Sequence, residues 1–180
     1  MLNSVKNILQ FQTILTESCL SILHIMKKTK ILVSIVISVG LGFITGLFTT
    51  SEISGWYTKL RKPSWNPPDW VFAPVWTILY ILIGLSFALI WNADNPGKPK
   101  AVKIFIFQFL LNLLWSILFF KLHLVGLAML EVWLLFLLIL LTIMISKGIN
   151  RTSALLLLPY LLWVLFASIL NSAIWILNKS

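Results

Sequence analysis

The sequence predicts an all-α membrane protein, built as a bundle of five transmembrane helices. Of its 180 residues, 59% are hydrophobic and only 11% are charged, and a soluble domain of this length cannot bury that much apolar surface. A helix needs roughly 20 mainly apolar residues to cross a hydrocarbon core of about 30 Å. Five stretches come close to that length, and their continuous apolar character argues against a membrane barrel. They are residues 31–50, 74–92, 104–120, 125–146 and 153–177.

The first predicted helix is preceded by an extension, residues 1–25, that is mixed in composition, weakly amphipathic and neutral. Lysines at positions 27, 28 and 30 then lead directly into the apolar run, which is how the first span of a membrane protein ordinarily begins. We therefore expect either that the natural start is Met26 or that residues 1–25 form a helix on the membrane surface. The five-helix domain is predicted to cover residues 26–180.

Small residues recur at every fourth position of the first predicted span. Ser34, Ser38, Gly42 and Gly46 share one helix face, and a face of such small side chains lets a second helix approach closely. We expect this face to pack against another helix of the same bundle. The alternative is that it forms the seam of a dimer.

The connection between the first and second spans, residues 51–73, is the longest in the chain, and we refer to it as the cover. Prolines fix the backbone and remove hydrogen-bond donors, so a connection rich in proline and large aromatic side chains is expected to be stiff and folded. The other connections are short and leave no room for a separate soluble domain. The prolines and the Trp and Tyr residues of the cover are Trp56, Tyr57, Pro63, Trp65, Pro67, Pro68 and Trp70.

The net charge is +9, and the basic residues lie in the connections between the spans, where anionic headgroups attract them. They do not form the basic, aromatic-interleaved face of a nucleic-acid-binding protein, so no nucleic acid is expected as a partner. Eight Lys and Arg side chains flank the spans on the N-terminal side, against five on the opposite side. Because cytoplasmic loops carry an excess of Lys and Arg, we predict a cytoplasmic N-terminus, with the cover and the C-terminus outside.

In the second, third and fifth spans, aromatic and amide side chains share helix faces. Trp76 lies four residues before Tyr80, and Asn112 is close to Trp115. Amides are unfavourable in lipid unless hydrogen-bonded, so Asn112 and Asn171 are expected to face the bundle interior. Two interpretations remain open: a pocket for a flat, largely apolar ligand, or interhelical hydrogen bonds with aromatic packing. The other members of these faces are Gln108, Ser116, Tyr160, Trp163, Ala167 and Trp175.

Glu131 is the only ionisable residue well inside a predicted span, which makes it a candidate for proton-coupled transport. It lies about two turns into its helix, so the alternative is that it reaches interfacial water or meets Lys121 or His123. The lone Cys19 and the isolated His24 and His123 argue against a metal site. No phosphate-binding glycine loop, Ser-His-Asp set or pair of acids is present, so no hydrolase or transferase activity is expected.

Several motifs, in the same order along the chain, resemble those of the translocator protein family, whose members are also called tryptophan-rich sensory proteins or peripheral-type benzodiazepine receptors. The resemblance covers about residues 31–177 and indicates a bacterial-type member. The residues before Met26 have no counterpart in the family pattern, which fits a natural start at Met26. The motifs are Trp56-Tyr57, Leu60, Lys62-Pro63-Ser64-Trp65-Asn66-Pro67-Pro68, Pro74-Val75-Trp76, Leu79-Tyr80, Leu111-Asn112-Leu113-Leu114-Trp115-Ser116, Phe119-Phe120, Leu158-Pro159-Tyr160, Trp163, Phe166-Ala167 and Leu170-Asn171.

The resemblance implies a five-helix bundle, usually a homodimer, with a ligand pocket near the cover. Family members bind porphyrins such as protoporphyrin IX and haem, as ligands rather than fixed cofactors, and also synthetic benzodiazepine-type and isoquinoline ligands. Some bind cholesterol, but here no basic residue follows Tyr160 before Lys179, so sterol binding through that motif is not expected. The pocket residues that the motifs carry over are Tyr57, Trp76, Asn112, Trp115, Tyr160, Trp163, Ala167 and Asn171.

Three functions follow from the resemblance and remain open at this point. The first is a receptor or sensor that binds tetrapyrroles in the inner membrane of a bacterium. The second is an enzyme that breaks down bound porphyrin with light and oxygen, using Trp76 and Trp163 as catalytic residues that face one cavity. The third is a transporter that moves porphyrin or sterol across or along the membrane.

Overall fold

Five helices cross the membrane, as predicted. The computed structural model describes the backbone of residues 2–179 and the side chains of residues 25–179 except Phe48 and Ser51. Within that part of the chain there is no strand, and five helical segments are long and apolar enough to span a bilayer. These segments are Ile25–Leu47, Asp69–Asn92, Lys98–Lys121, Val125–Lys147 and Arg151–Asn178.

The spans are built from six α-helices and two short π-helical segments. The π-helical segments, Ile53–Tyr57 and Ile117–Lys121, directly follow the first and third α-helices. A short 3₁₀ turn, Asp69–Val71, leads from the cover into the second span. The α-helices are α1 (Leu2–Glu52), α2 (Phe72–Asn92), α3 (Lys98–Ser116), α4 (Val125–Lys147), α5 (Arg151–Leu156) and α6 (Leu158–Asn178).

Helix α1 is continuous from Leu2 to Glu52, so the N-terminal extension joins the first span without a break. A helical extension was one of the two expectations for residues 1–25. The prediction that this helix lies on the membrane surface depends on the side chains of residues 1–24, which are outside the described part of the structure.

The fifth span is two helices rather than one, because Pro159 interrupts it. Proline has no N–H, and its ring crowds the carbonyl four residues earlier, so the helix cannot run unbroken through this point. Helix α5 ends at Leu156, and α6 begins at Leu158. The Asn150 side chain caps α5 by accepting a hydrogen bond from the Ser153 N–H at 3.0 Å, which is a common way to satisfy a free donor at a helix start.

The small-residue face of α1 packs against α2, as expected for the interior of the bundle. Ser34 and Ser38 are buried, and a Cβ at Gly42 would clash with the ring of Tyr80 on α2. Gly46 is different, because a Cβ there would have no neighbour within 4 Å. On α2, Gly84 makes the reciprocal close approach, since its Cβ would lie 2.7 Å from the Cα of Ile35.

The buried side chains form two clusters, one along the middle of the bundle and one at the end near the cover. The middle cluster is built by α2, α3, α4 and α6, and its largest fully buried side chain is Tyr160. The end cluster joins the two π-helical segments to α4 and α6 through Tyr57, Phe119 and Phe120. Trp115 packs against both clusters, so it lies where the two clusters meet.

Candidate functional site

A small internal cavity lies at the centre of the bundle, between α2, α3, α4 and α6. Its volume is about 10 Å³, which is room for a single water molecule. Its lining combines two indoles and one amide with aliphatic side chains. The lining residues are Trp76, Asn112, Trp115, Val132, Leu135, Val164 and Ala167.

Hydrogen bonds between helices hold the amides around this cavity. The Tyr80 hydroxyl donates to Asn112 Oδ1 at 2.9 Å, and the Tyr160 hydroxyl donates to Gln108 Oε1 at 3.1 Å. Asn112 and Gln108 are both fully buried on the inner face of α3. The bonds therefore tie α3 to α2 on one side and to α6 on the other, in a region where an unpaired amide would be unfavourable.

Asn171 fixes the indole of Trp115. Its Oδ1 accepts a hydrogen bond from Trp115 Nε1 at 3.0 Å, while its Nδ2 donates to the Val125 carbonyl at 3.1 Å. One buried side chain on α6 thus connects α3 and the start of α4. The expectation that both Asn112 and Asn171 face the interior agrees with this arrangement. Asn171 contacts Trp115 but does not itself line the cavity.

The aromatic rings around the cavity pack at tilted and edge-on angles. Trp76 lies 5.5 Å from Tyr80 and 6.5 Å from Tyr160 between ring centroids. Trp115 stacks on Phe119 at 5.3 Å. Such pairs stabilise a fixed ring geometry beyond the simple burial of area, so these contacts hold Trp76 and Trp115 in place.

Trp163 lies on a different surface from Trp76. It lines a groove of about 360 Å³ that opens outward between α2 and the last span, while its neighbour Val164 lines the internal cavity. The lining of the internal cavity includes Trp76 but not Trp163. The expectation that Trp76 and Trp163 face one cavity therefore does not agree with the structure. The groove is lined by Val75, Ile78, Leu79, Pro159, Leu162 and Trp163.

Tyr57 anchors the cover on the end cluster. Its hydroxyl donates to Asn66 Oδ1 at 2.8 Å, and the ammonium of Lys62 lies 4.1 Å from its ring centre. Burial, with a smaller effect of the Asp69 carboxylate, raises the pKa of Tyr57 to about 12, although the hydrogen bond to Asn66 acts in the opposite direction. Tyr57 therefore remains a neutral donor at physiological pH, and it is not among the residues that line the cavity.

Two further groups of contacts hold the cover on the bundle. The Arg61 N–H donates to Asn178 Oδ1 at 3.0 Å, and Asn178 Nδ2 donates back to the Arg61 carbonyl at 2.9 Å. The Trp56 indole stacks on the His123 ring at 4.1 Å, and His123 Nε2 lies 3.2 Å from Glu52 Oε2. The cover is thus folded onto the ends of α6 and the α3–α4 connection, which is how a stiff cover was expected to behave.

Glu131 is buried without a partner. Its side chain is 8% exposed, and neither carboxyl oxygen has a hydrogen bond in the described part of the structure. The predicted contact with His123 is not formed, because His123 pairs with Glu52. Within the described residues, no three His, Cys, Asp or Glu side chains are grouped so that they could hold a metal ion.

The structure separates the predicted site residues into three groups. The first group lines the cavity and consists of Trp76, Asn112, Trp115 and Ala167. The second group, Tyr160 and Asn171, forms hydrogen bonds with other buried residues without lining the cavity. The third group, Tyr57 and Trp163, lies outside the cavity. The sequence analysis missed the aliphatic wall from α4 and α6. Helical spacing could have found part of it, because Val132 and Leu135 are three residues apart and share a helix face. The missed residues are Val132, Leu135 and Val164.

The chain is similar to a known family profile and to several named proteins. A sequence profile described as the TspO/MBR family matches residues 34–176. The tryptophan-rich protein TspO of Archaeoglobus fulgidus is 39% identical over 153 residues, covering 85% of this chain and 99% of that protein. The protein of the same name from Chlorobaculum tepidum is 43% identical over 143 residues, covering 76% and 88%. The translocator protein of Bos taurus is 34% identical over 137 residues, covering 74% and 81%.

Proposed function

Because the chain belongs to the TspO/MBR family, we propose that it is an integral membrane receptor or sensor for tetrapyrroles such as protoporphyrin IX and haem. The observation that carries this proposal is the internal cavity, whose wall combines the indoles of Trp76 and Trp115 with the amide of Asn112. Flat aromatic molecules bind well to such walls, because rings stack on the indoles while a few polar groups fix the orientation. The same wall suits benzodiazepine-type and isoquinoline ligands.

The bundle must open before such a ligand can enter. The cavity holds about 10 Å³, whereas pockets for drug-sized ligands usually measure about 300–1,000 Å³. The neighbouring structure provides two places where helices are already irregular: the π-helical segment Ile117–Lys121, which directly follows α3, and the break before Pro159. π-Helical turns often occur at functional sites. We propose that the third and last spans separate at these points when the ligand binds.

A titration of the purified protein in phosphatidylcholine nanodiscs tests the proposal. Protoporphyrin IX should quench tryptophan fluorescence at a single saturable site, because two indoles lie in the cavity wall. An isoquinoline carboxamide should compete for that site. Quenching that rises linearly with porphyrin, and is insensitive to the competitor, would show that the porphyrin only partitions into the lipid.

Light-driven porphyrin breakdown is a second candidate function, and the position of Trp76 favours it. Trp76 lines the cavity, and indole is readily oxidised, so a porphyrin excited by light in the presence of oxygen could react beside it. Trp163 lines the outward groove. This position supports a contact with the edge of a bound porphyrin rather than stacking on the porphyrin's second face. Formation of a distinct porphyrin product separates this enzyme from a receptor.

We further propose that the protein is a homodimer in a bacterial inner membrane. Membrane lipid covers its outer surface, which exposes many large apolar side chains, for example Leu32, Phe43 and Leu137. Crosslinking in the native membrane would measure the oligomeric state.

Movement of porphyrin or sterol is the remaining alternative, and vectorial flux into liposomes would distinguish a transporter from a receptor.

A further inference from the structure

The two ends of the bundle differ in the balance of their charges. At the N-terminal end, eight Lys and Arg side chains flank the spans, and the single carboxylate there is Asp94. At the opposite end, five basic residues are accompanied by the carboxylates of Glu52 and Asp69. Within the described residues, none of these Lys and Arg side chains forms an ion pair. The N-terminal end therefore carries many cations that have no acidic partner in the protein itself.

Two of these cations lie where the start of the first span meets the end of α2. The ammonium of Lys30 lies 5.4 Å from the ring centre of Trp91. The side chain of Asn92 donates a hydrogen bond from Nδ2 to the Lys27 carbonyl oxygen at 3.3 Å. The Lys27 side chain is itself exposed, and within the described residues its ammonium has no hydrogen bond, ion pair or ring contact. Its charge is therefore available to a molecule outside the protein.

Lys98, the first residue of α3, reaches the same end of α2. Its Nζ donates a hydrogen bond to the Ala93 carbonyl oxygen at 3.0 Å. A lysine beside a helix C-terminus commonly stabilises the last carbonyls, so Lys98 also has a structural role. Asp94 is exposed and pairs with none of the three lysines. We refer to Lys27, Lys30 and Lys98 as the basic junction, because α1 and α3 both contact the end of α2 there.

The basic junction lies at the level of the lipid headgroups. Trp91 is at the end of a span, where indoles sit at the boundary between lipid and water. Val33 and Ile37 lie one and two turns further along α1 from Lys30 on the same face, and their side chains are exposed for lipid chains to cover. A phospholipid that lies along this face of α1 has its phosphate beside the lysines. Phosphate oxygens accept charge-assisted hydrogen bonds from ammonium groups.

We propose that the basic junction binds the headgroup of an acidic phospholipid, whose acyl chains lie along α1. Basic pockets between membrane-spanning helices recognise such headgroups. A zwitterionic lipid fits less well, because its own cationic group would meet the same lysines. The occupant is a lipid rather than a free anion, because Lys30 and the apolar side chains below it share one face. This site is separate from the internal cavity and does not depend on the ligand proposed there.

The test compares dioleoylphosphatidylglycerol with dioleoylphosphatidylcholine, which have the same acyl chains and differ in headgroup charge. Native mass spectrometry of the full chain, released from dodecylmaltoside micelles, gives the Kd of the first lipid bound. The unmodified protein should bind the phosphatidylglycerol about tenfold or more tightly, as several lysines near one phosphate imply. Replacing Lys27, Lys30 and Lys98 together by Gln should remove most of this preference. Inorganic phosphate should not displace the lipid, because it has no acyl chains.

The matched control replaces Lys100, Lys103 and Lys147 together by Gln. It removes the same number of charges from the same end of the bundle, outside the basic junction, so the preference should change less than about twofold. Thermal midpoints in dodecylmaltoside check that both triple variants fold. Lys27→Gln alone alters an ammonium with no contact in the protein, so it should lower the preference about threefold without affecting folding.

Three results would overturn the proposal. The first is equal affinity of the unmodified protein for the two lipids. The second is a preference that survives in the basic-junction variant, or that falls equally in the control variant, since the attraction would then belong to the whole charged end. The third is displacement of the lipid by inorganic phosphate, which would identify a site for a free anion. None of these results bears on porphyrin binding in the cavity.

Discussion

Close contacts of single residues decide how the first two spans pack. Gly84 has no side chain where α2 meets α1, and a Cβ there would lie 2.7 Å from the Cα of Ile35 and 2.9 Å from the carbonyl oxygen of Ser34. Both neighbours are backbone atoms, which cannot move away by a rotamer change. The close approach of α1 and α2 therefore depends on this position.

Gly84→Ala should destabilise the protein by about 1–3 kcal/mol, the usual cost of overpacking a filled core. Thermal unfolding in detergent measures the effect. Gly40→Ala is the matched control, because a Cβ at Gly40 has no neighbour within 4 Å and alanine favours a helix. A silent Gly84→Ala variant would show that α1 and α2 are less closely packed than described.

Trp76→Phe and Trp163→Phe separate binding from chemistry. Phenylalanine keeps an aromatic surface but removes the oxidisable indole and its N–H, so porphyrin affinity should fall by about 1 kcal/mol or less for each change. If the indoles take part in photochemistry, light-driven porphyrin loss should fall much further than binding. Trp91→Phe is the control, since Trp91 lies at the end of α2 beside Lys30. Undiminished loss in the double variant, with porphyrin still bound, would exclude the enzymatic candidate.

Spacing along single helices predicted the amides and indoles of the site but not how they are divided between surfaces. Trp76 and Tyr80 are one turn apart, so their shared face could be derived from the helical period. Trp163 and Val164 show the limit of that method. Which of two adjacent faces points inward depends on the rotation of α6 against α2 and α4, and no local pattern encodes that rotation.

At the scale of whole elements, the cover and the two π-helical segments pack together at one end of the bundle. The segments Ile53–Tyr57 and Ile117–Lys121 meet through Trp56 and Phe119, whose ring centroids are 5.5 Å apart. Sequence predicted a stiff cover from its prolines. The π-helical turns were not predicted, because their hydrogen bonding is set by tertiary packing rather than by a characteristic residue. The break before Pro159 could have been predicted from proline chemistry alone.

The hydrogen bonds between Asn178 and Arg61 should control ligand exchange more than stability. Asn178→Ala removes both bonds, which are exposed and worth about 0.5–1.5 kcal/mol each at most, so the thermal midpoint should change little. Dissociation of protoporphyrin IX, followed by stopped-flow fluorescence, should become faster. Lys179→Ala is the control. A large loss of stability with unchanged dissociation would show that the cover is structural. Replacing Pro67 and Pro68 by Ala should act in the same direction.

The whole molecule has an orientation that the count of basic residues predicts. In a Cys19→Ser background, cysteines placed at Lys98 and Lys179 should react with a membrane-impermeant maleimide from opposite sides, with Lys98 on the cytoplasmic side. Five spans require the two positions to be on opposite faces. Reaction of both from one side would contradict the span number, and reaction of only Lys179 from the cytoplasm would reverse the orientation.

On the proposed function, the ligand binds inside the bundle rather than in the outward groove. Ala167 lines the cavity and Leu162 lines the groove, so Ala167→Leu and Leu162→Trp each obstruct one surface. The most direct measurement is the Kd of protoporphyrin IX for both variants, with thermal midpoints recorded to confirm folding. We predict that Ala167→Leu weakens binding about tenfold or more, as overpacking of a small cavity implies, and that Leu162→Trp leaves it unchanged. Loss of binding in Leu162→Trp, with normal affinity in Ala167→Leu, would place the ligand on the groove and contradict binding inside the bundle.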